Sequence, residues 1–248
     1  MCGRYSLFAP PEDLEERFDA AFAEPFSPTY NAAPGQRLPV VTDERPETIR
    51  QLEWGLVPSW ADDDGDGLIN ARAETVDEKP SFRAAYRGRR PREGNEESTD
   101  SARSGRCLVL ADGFYEWVET ESGKRPYRVA FPDDRPFAMA GLWATWEPET
   151  TQTGLDAFAG GAADDPDGDA LETFAIVTTE PNDVVADLHH RMAAIVELED
   201  ERRWLEADDP RDALDPYPPD ELRAYPVSTA VNSPANDEPA LVEPVESV

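Results

Sequence analysis

The chain has 248 residues, with 53 Asp and Glu against 23 Lys and Arg, a formal net charge of -30 and a mean hydropathy of -0.63. It contains no run of 18 or more apolar residues and no apolar leader, so the sequence predicts neither a membrane span nor a signal peptide, and we expect a cytoplasmic protein. Six Trp, seven Tyr and ten Phe can fill a core, which argues against global disorder despite the charge.

The acidic excess predicts a surface adapted to high salt. Only two lysines, Lys79 and Lys124, accompany the many acidic residues. At about 1 M salt the Debye length is about 3 Å, so the repulsion between surface carboxylates is screened. We therefore favour a halophilic protein over an ordinary acidic one. A cooperative thermal transition that persisted after dialysis into low salt would contradict this hypothesis.

The predicted elements begin with a helix over 11–24, because Leu14, Phe18 and Phe22 recur every four residues after an acidic first turn. Short β-type runs follow at 38–42, 49–57, 107–110, 114–118, 127–131, 137–143 and 173–178. Further helices are predicted near 182–190, 197–206 and 219–224. Strands dominate without βαβ alternation. This pattern predicts an α+β single domain, with mixed or antiparallel sheets curled into a pseudo-barrel and helices at its periphery.

Two polar segments, 92–105 and 148–171, lack apolar periodicity and are predicted to be flexible inserts. We place one domain over 2–242, which includes both inserts, and a short tail over 243–248.

Cys2 directly follows Met1 and precedes Gly3. Methionine before a small residue is normally removed, which would leave Cys2 with a free α-amine beside its thiol. The ordinary pKa values are about 8 for the amine and about 8.5 for the thiol. Such a 1,2-aminothiol can form a Schiff base with an aldehyde and close to a thiazolidine. The alternative is that Cys2 is simply a small buried hydrophobic residue.

Nine further motifs follow Met-Cys-Gly-Arg-Tyr in a fixed order. They are NAAPGQ at 31–36, WGLVPSW at 54–60, NARAET at 70–75, KPSFR at 79–83, RCLV at 106–109, GFYEW at 113–117, AGLW at 140–143, TTEPN at 178–182 and HHRM at 189–192. Over residues 2 to about 242 the set resembles the SOS response-associated peptidase (SRAP) family, abasic-site processing proteins that crosslink themselves to abasic sites in single-stranded DNA.

The resemblance implies a role for each matched residue. The implied catalytic residues are Cys2 as the crosslinking nucleophile, Asn70 beside it, Glu116 as acid and base, and His189 of the His-x-Arg-Met motif. The implied DNA contacts are Arg4 and Arg72 to phosphates, and Pro34 and Trp60 to splayed bases. In two departures from the family pattern, Ala193 replaces a Pro and His190 fills the variable position.

The chemistry of these residues agrees with the implied roles. Schiff-base formation needs a proton acceptor and a donor, and a partly buried carboxyl such as Glu116 serves as both if its pKa is raised. Without the resemblance, Glu116 would be an ordinary strand residue, Asn70 a turn residue, and His189 a histidine that stabilises a helix C-terminus.

A basic segment runs from Lys79 to Arg106, with eight basic residues against four acidic ones. Its net charge of +4 predicts a phosphate track that includes Arg83 and Arg106. A solvated arginine-rich loop is the alternative. An acidic stretch at 62–67 lacks the Glu that an EF-hand needs at its twelfth position, where Ala73 stands, so we expect no metal and no cofactor.

The implied function is a DNA damage response in which a thiazolidine crosslink shields the lesion, with self-removal of Met1 and possible lyase activity. Single-stranded DNA with abasic sites is the expected partner, the protein is expected to be a monomer, and we expect it at the nucleoid when bound to DNA. Three alternatives stay open: an N-terminal-nucleophile amidohydrolase that uses Cys2, a peptidase acting on other proteins, and a non-catalytic single-strand-binding module.

Overall fold

The computed structural model describes residues 2–63, 65, 67–88, 103–121, 123–148 and 170–246. Its strands are β1 (Tyr5–Leu7), β2 (Ala21–Phe22), β3 (Thr29–Ala32), β4 (Arg37–Thr42), β5 (Arg45–Trp54), β6 (Asn70–Arg72), β7 (Ser104–Ala111), β8 (Gly113–Thr120), β9 (Gly123–Ala130), β10 (Phe137–Trp146), β11 (Leu171–Thr179), β12 (Met192–Ala193), β13 (Ile195–Val196) and β14 (Arg223–Pro226). Its α-helices are α1 (Pro11–Phe18), α2 (Pro80–Arg87), α3 (Asp183–Ala186) and α4 (Glu201–Glu206). Single 3₁₀ turns lie at Ala73–Thr75, Leu198–Asp200, Arg211–Leu214, Pro219–Glu221, Thr229–Asn232 and Pro239–Val242.

Five strands close into a barrel in the order β5, β4, β7, β10 and β11. The barrel closes where β11 pairs in parallel with β5, with Phe174 opposite Trp54. Close packing explains Gly141 on β10, because a Cβ there would lie 2.7 Å from the Cys107 sulfur on β7. The expected α+β fold with mixed sheets curled around a core is confirmed.

An antiparallel five-stranded sheet, ordered β14, β9, β8, β1 and β3, carries the N-terminal residues. A buried ionic network holds β1 in this sheet. Asp112 accepts hydrogen bonds from the Ser6 hydroxyl at 2.6 Å and from the Arg128 guanidinium at 3.2 Å, and all three residues are buried. Because a buried charge is costly without a partner, this pairing anchors the segment that carries Cys2.

The C-terminal segment Val227–Val245 packs against the outer face of this sheet. Val227, Val231 and Leu241 form an apolar cluster with Tyr115 of β8. Asn31 of β3 secures the segment, since its side-chain amide donates to the carbonyl oxygens of three residues. These are Val231 at 3.2 Å, Ser233 at 2.9 Å and Asn236 at 2.8 Å.

Several predicted boundaries are wrong for local reasons. The first helix ends at Phe18 because Asp19 adopts a left-handed conformation with φ of 48°, and Phe22 then pairs with β5. The helix predicted over 219–224 is a single turn that leads into β14, which pairs with β9. The last residues of the two segments predicted as inserts lie in strands, since β7 begins at Ser104 and β11 at Leu171; most of both segments lies outside the described residues.

None of the helices in the described parts of the chain is long and apolar enough to cross a membrane.

Candidate active site and DNA interface

The pairing of β1 with β8 brings the N-terminal residues beside Glu116. Tyr5 lies opposite Phe114, and the backbone N–H of Tyr115 donates to the Arg4 carbonyl at 3.0 Å. In an antiparallel ladder the residues before Tyr5 therefore run along those after Phe114. The sequence-predicted Cys2 and Glu116 thus share one end of this sheet.

Cys2 is fully buried, and its thiol lies 3.8 Å from the Arg4 carbonyl oxygen. Burial raises the pKa of the thiol well above its ordinary value, and the nearby Glu116 carboxylate acts in the same direction. The thiol is therefore protonated at neutral pH. Any reaction at its sulfur requires a neighbouring group that accepts the proton.

Asn70 contacts the backbone of Cys2. Its side-chain N–H donates to the Cys2 carbonyl at 2.8 Å, while its Oδ1 is buried and accepts no hydrogen bond from the described residues. β6 holds Asn70 through parallel pairing with β11. Since side chains alternate along a strand, Arg72 points to the same side as Asn70, and it is exposed.

Glu116 is 2% exposed, and burial raises its pKa to about 7. His189 follows α3, and its Nδ1 lies 4.0 Å from Glu116 Oε1. Burial also lowers the pKa of His189 below its ordinary value. Both shifts favour the neutral forms, so this contact is not a salt bridge at neutral pH. A carboxyl with a pKa near 7 can both give and take a proton under physiological conditions.

A cleft of about 470 Å³ opens beside these two residues. Glu116 and His189 line it together with Trp117, Lys124 and Asn232. Sequence reasoning missed the last three as site residues. Trp117 stands within the GFYEW motif and Lys124 is one of two lysines, whereas nothing in the sequence singles out Asn232.

The predicted DNA contacts occupy different environments. Trp60 is 63% exposed, and Pro34, Arg72 and Arg83 are also exposed. Arg4 is half-buried, and its Nη1 donates to Asn31 Oδ1 and to the Val231 carbonyl, both at 2.8 Å.

Arg106 does not fit the predicted phosphate track. It is 2% exposed, and its guanidinium donates to the carbonyl oxygens of Tyr86, Leu205 and Ala207. Through these bonds Arg106 joins α2 and α4 to β7. Its guanidinium is therefore not available to contact DNA. Part of the basic segment, with Arg89, Arg90 and Arg92, lies outside the described residues.

Comparisons with known proteins agree on one family. The model of the SOS response associated peptidase (SRAP) family matches residues 1–91 and 97–234. The chain belongs to the SRAP family.

It is 36% identical to the abasic site processing protein YoqW of Bacillus subtilis over 98% of this chain and 99% of that protein. It is 30% identical to the abasic site processing protein HMCES of Gallus gallus, over 89% of this chain and 67% of that protein. A crystal structure of a Bacteroides thetaiotaomicron protein superposes with a TM-score of 0.77 at 25% identity and covers 99% of this chain and 100% of that one.

In this SRAP-family chain, Arg191 braces the loop that carries His189. Its guanidinium pairs with the Glu74 carboxylate through two hydrogen bonds and donates to the Thr178 carbonyl at 2.5 Å. The backbone N–H of Arg191 lies 3.1 Å from His189 Nδ1, in position to donate to the neutral ring. The arginine of the HHRM motif therefore ties the histidine to the segment that follows Asn70.

The raised pKa of Glu116 predicts a pH-dependent stability for this SRAP-family protein. A pKa raised from 4.5 to about 7 on folding means that the folded state binds the proton more tightly. The resulting stabilisation is present below pH 4.5 and is lost as the pH rises through 7. The loss amounts to about 3 kcal/mol, at about 1.36 kcal/mol for each pKa unit.

Glu116→Gln removes this titration. Relative to wild type, the variant is expected to gain about 3 kcal/mol in the free energy of unfolding between pH 4 and pH 8. Urea unfolding of both proteins at constant salt measures the difference. Parallel stability curves for the two proteins would contradict the raised pKa.

Proposed function

We propose that this protein processes abasic sites in single-stranded DNA by forming a covalent thiazolidine with Cys2 after Met1 is removed. The observation that carries the proposal is the placement of Glu116, with a pKa of about 7, at the same sheet end as Cys2 and 4.0 Å from His189. The relatives named abasic site processing proteins support it.

The first step forms a Schiff base. The α-amine of Cys2 attacks the aldehyde carbon of the ring-opened sugar and gives a carbinolamine. Protonated Glu116 donates its proton to the carbinolamine hydroxyl, which leaves as water, and the protonated imine (iminium) forms opposite the ionised carboxylate. A carboxyl that is half-protonated near pH 7 suits this step because it supplies the proton without an external acid.

The second step closes the ring. The Cys2 thiol gives up its proton, its sulfur adds to the iminium carbon, and the C=N electron pair moves to nitrogen, so the net reaction releases one water molecule. Because burial keeps the thiol protonated, ring closure needs a base. Glu116 is ionised after the first step and can accept this proton, which restores its protonated form. Asn70 holds the Cys2 carbonyl, and we assign to His189 the stabilisation of the sugar oxygen released on ring opening.

DNA binding must overcome a net charge of -30. We assign phosphate contacts to Arg4, Arg72 and Arg83, and base contacts to Pro34 and Trp60. Arg72 supports this assignment because it points to the same side of β6 as Asn70. Counterion release weakens at high salt, so stacking on Trp60 and the covalent bond would hold the strand there.

Four finer features belong to the same proposal. They are self-removal of Met1 as the peptidase activity, lyase activity through the imine, action as a monomer, and association with the nucleoid through DNA. Incubation of purified protein with an oligonucleotide that carries one abasic site, followed by a denaturing gel, tests the central claim. A shifted covalent band is expected with the abasic strand and not with an intact strand of the same sequence. No band with either strand would refute the proposed function.

Arg72→Ala and Trp60→Ala are expected to weaken single-strand affinity for different reasons. Loss of the stack on Trp60 costs about 1–3 kcal/mol. Loss of one phosphate contact makes the negative slope of log K against log salt shallower by about 0.7 for a single strand, and this change is expected for Arg72→Ala alone. Fluorescence anisotropy with a labelled oligonucleotide over a range of salt concentrations measures both effects. Equal salt slopes in the two variants would show that one assignment is wrong.

A further inference from the structure

One short stretch of the C-terminal segment contacts both the N-terminal residues and a wall of the cleft. The Val231 carbonyl accepts a hydrogen bond from Arg4 Nη1 at 2.8 Å, on the side of the N-terminal residues. The next residue, Asn232, accepts a hydrogen bond from Trp117 Nε1 through its Oδ1 at 2.7 Å, on the side of β8. Neighbouring residues of one turn therefore bind Arg4, two residues from Cys2, and Trp117, the residue after Glu116.

This stretch is held firmly in place. Asn31 donates to carbonyl oxygens of Val231, Ser233 and Asn236, which bracket Asn232 on both sides. Val231 is buried against Tyr115, the residue before Glu116. The backbone on both sides of Asn232 is therefore held in place before any ligand arrives.

Trp117 has one hydrogen-bond donor, the indole N–H. With that edge bound to Asn232, the orientation of the ring is fixed, and the half-buried ring forms part of the cleft wall next to Glu116. An aromatic face on a cleft wall is a surface on which a base or sugar of a single strand can pack.

We propose that Asn232 is a positioning residue for strand binding, and that it acts by fixing the indole of Trp117 as a wall of the cleft. The inference rests on the proposed function for the identity of the ligand, single-stranded DNA. The C-terminal segment then belongs to the site, because its residue Asn232 supplies the acceptor that orients the Trp117 ring.

A double-mutant cycle tests the inference with the full chain. The variants are Asn232→Ala, Trp117→Phe and their combination; Phe keeps a ring face but has no N–H for Asn232 to hold. The concentration of abasic oligonucleotide that gives half-maximal crosslinking rate is measured for each. Loss of one hydrogen bond predicts a rise of about threefold to tenfold for Asn232→Ala. In the Trp117→Phe background the same change is expected to have no further effect.

Ser233→Ala is the matched control, because Ser233 lies on the same segment and its side chain makes no hydrogen bond with the described residues. It is expected to match wild type. Additive effects in the cycle would overturn the inference and indicate that Asn232 contacts the strand directly. An unchanged half-maximal concentration in Asn232→Ala would overturn it as well.

Urea unfolding of each variant separates positioning from a loss of folding. If Asn232→Ala is unfolded at the assay temperature, Asn232→Ser replaces it, because Ser retains a shorter acceptor. The half-maximal concentration for Asn232→Ser is expected to lie above that of wild type and to show no such rise in the Trp117→Phe background. If wild type forms no crosslink, the proposed function fails; the cycle is then run on the affinity for intact single-stranded DNA. Coupling there supports the role of Asn232, and its absence refutes it.

Discussion

Glu116→Gln is expected to slow crosslink formation by about 100-fold or more, the usual scale for removal of a general acid and base. Gln keeps the size and hydrogen-bonding capacity of Glu but cannot titrate. The variant can then neither protonate the departing hydroxyl nor accept the thiol proton. Single-turnover gels with excess protein give the rate constant, and anisotropy with an intact oligonucleotide checks that affinity is nearly unchanged.

The pH dependence of the crosslinking rate provides a second test of the role of Glu116. In wild type the rate of crosslinking is expected to respond to a group with a pKa near 7, and in Glu116→Gln that response is expected to disappear. Reversal of the crosslink is expected to slow as well, since the reverse path uses the same proton transfers. A rate within about twofold of wild type would remove Glu116 from the mechanism and point to His189.

Cys2→Ala is expected to abolish the stable adduct, because no thiol remains to close the ring. The α-amine of residue 2 survives in this variant and can still form an imine. Treatment with borohydride is therefore expected to trap a covalent band that is absent without the reductant. A heat-stable band that forms without reduction would contradict ring closure by the Cys2 sulfur.

An N-terminal extension that resists cleavage provides the companion test. It retains the thiol but converts the amine of Cys2 into an amide, which cannot form a Schiff base. Neither a stable band nor a borohydride-trapped band is expected at the site. Unchanged covalent yield with the extension in place would refute the thiazolidine mechanism.

Most of the fold could be predicted because its strands are apolar runs bounded by turn residues. The run predicted over 137–143 lies within β10, and the run over 173–178 lies within β11. The errors fall where tertiary contacts override local periodicity. Phe22 continues the spacing of Leu14 and Phe18, yet it pairs with β5 because the chain turns at Asp19. That turn depends on a partner strand which local spacing does not reveal.

The residues of the site also divide into those that the sequence predicts and those that it does not. Cys2, Asn70, Glu116 and His189 could be proposed because each stands in a recognisable motif, and the structure brings Asn70 to the Cys2 backbone and His189 to Glu116. Arg106 shows why a count of basic residues is a poor guide to a DNA-binding surface. The count gives the same weight to an exposed guanidinium and to the buried guanidinium of Arg106, which is bonded to three carbonyls. Asn232 could not be found because its importance lies in a contact across the chain with Trp117.

The hydrogen bond between Arg4 and the Val231 carbonyl can form only late in the synthesis of the chain. Its partners are 227 residues apart, so at about 5–20 residues per second the ribosome makes Val231 about 11 to 45 s after Arg4. Throughout that interval the N-terminal residues exist without the segment that secures them. If removal of Met1 requires the folded site, it has to wait until Val231 has left the ribosome and the two ends of the chain have met, whereas an aminopeptidase that acts on the unfolded N-terminus does not.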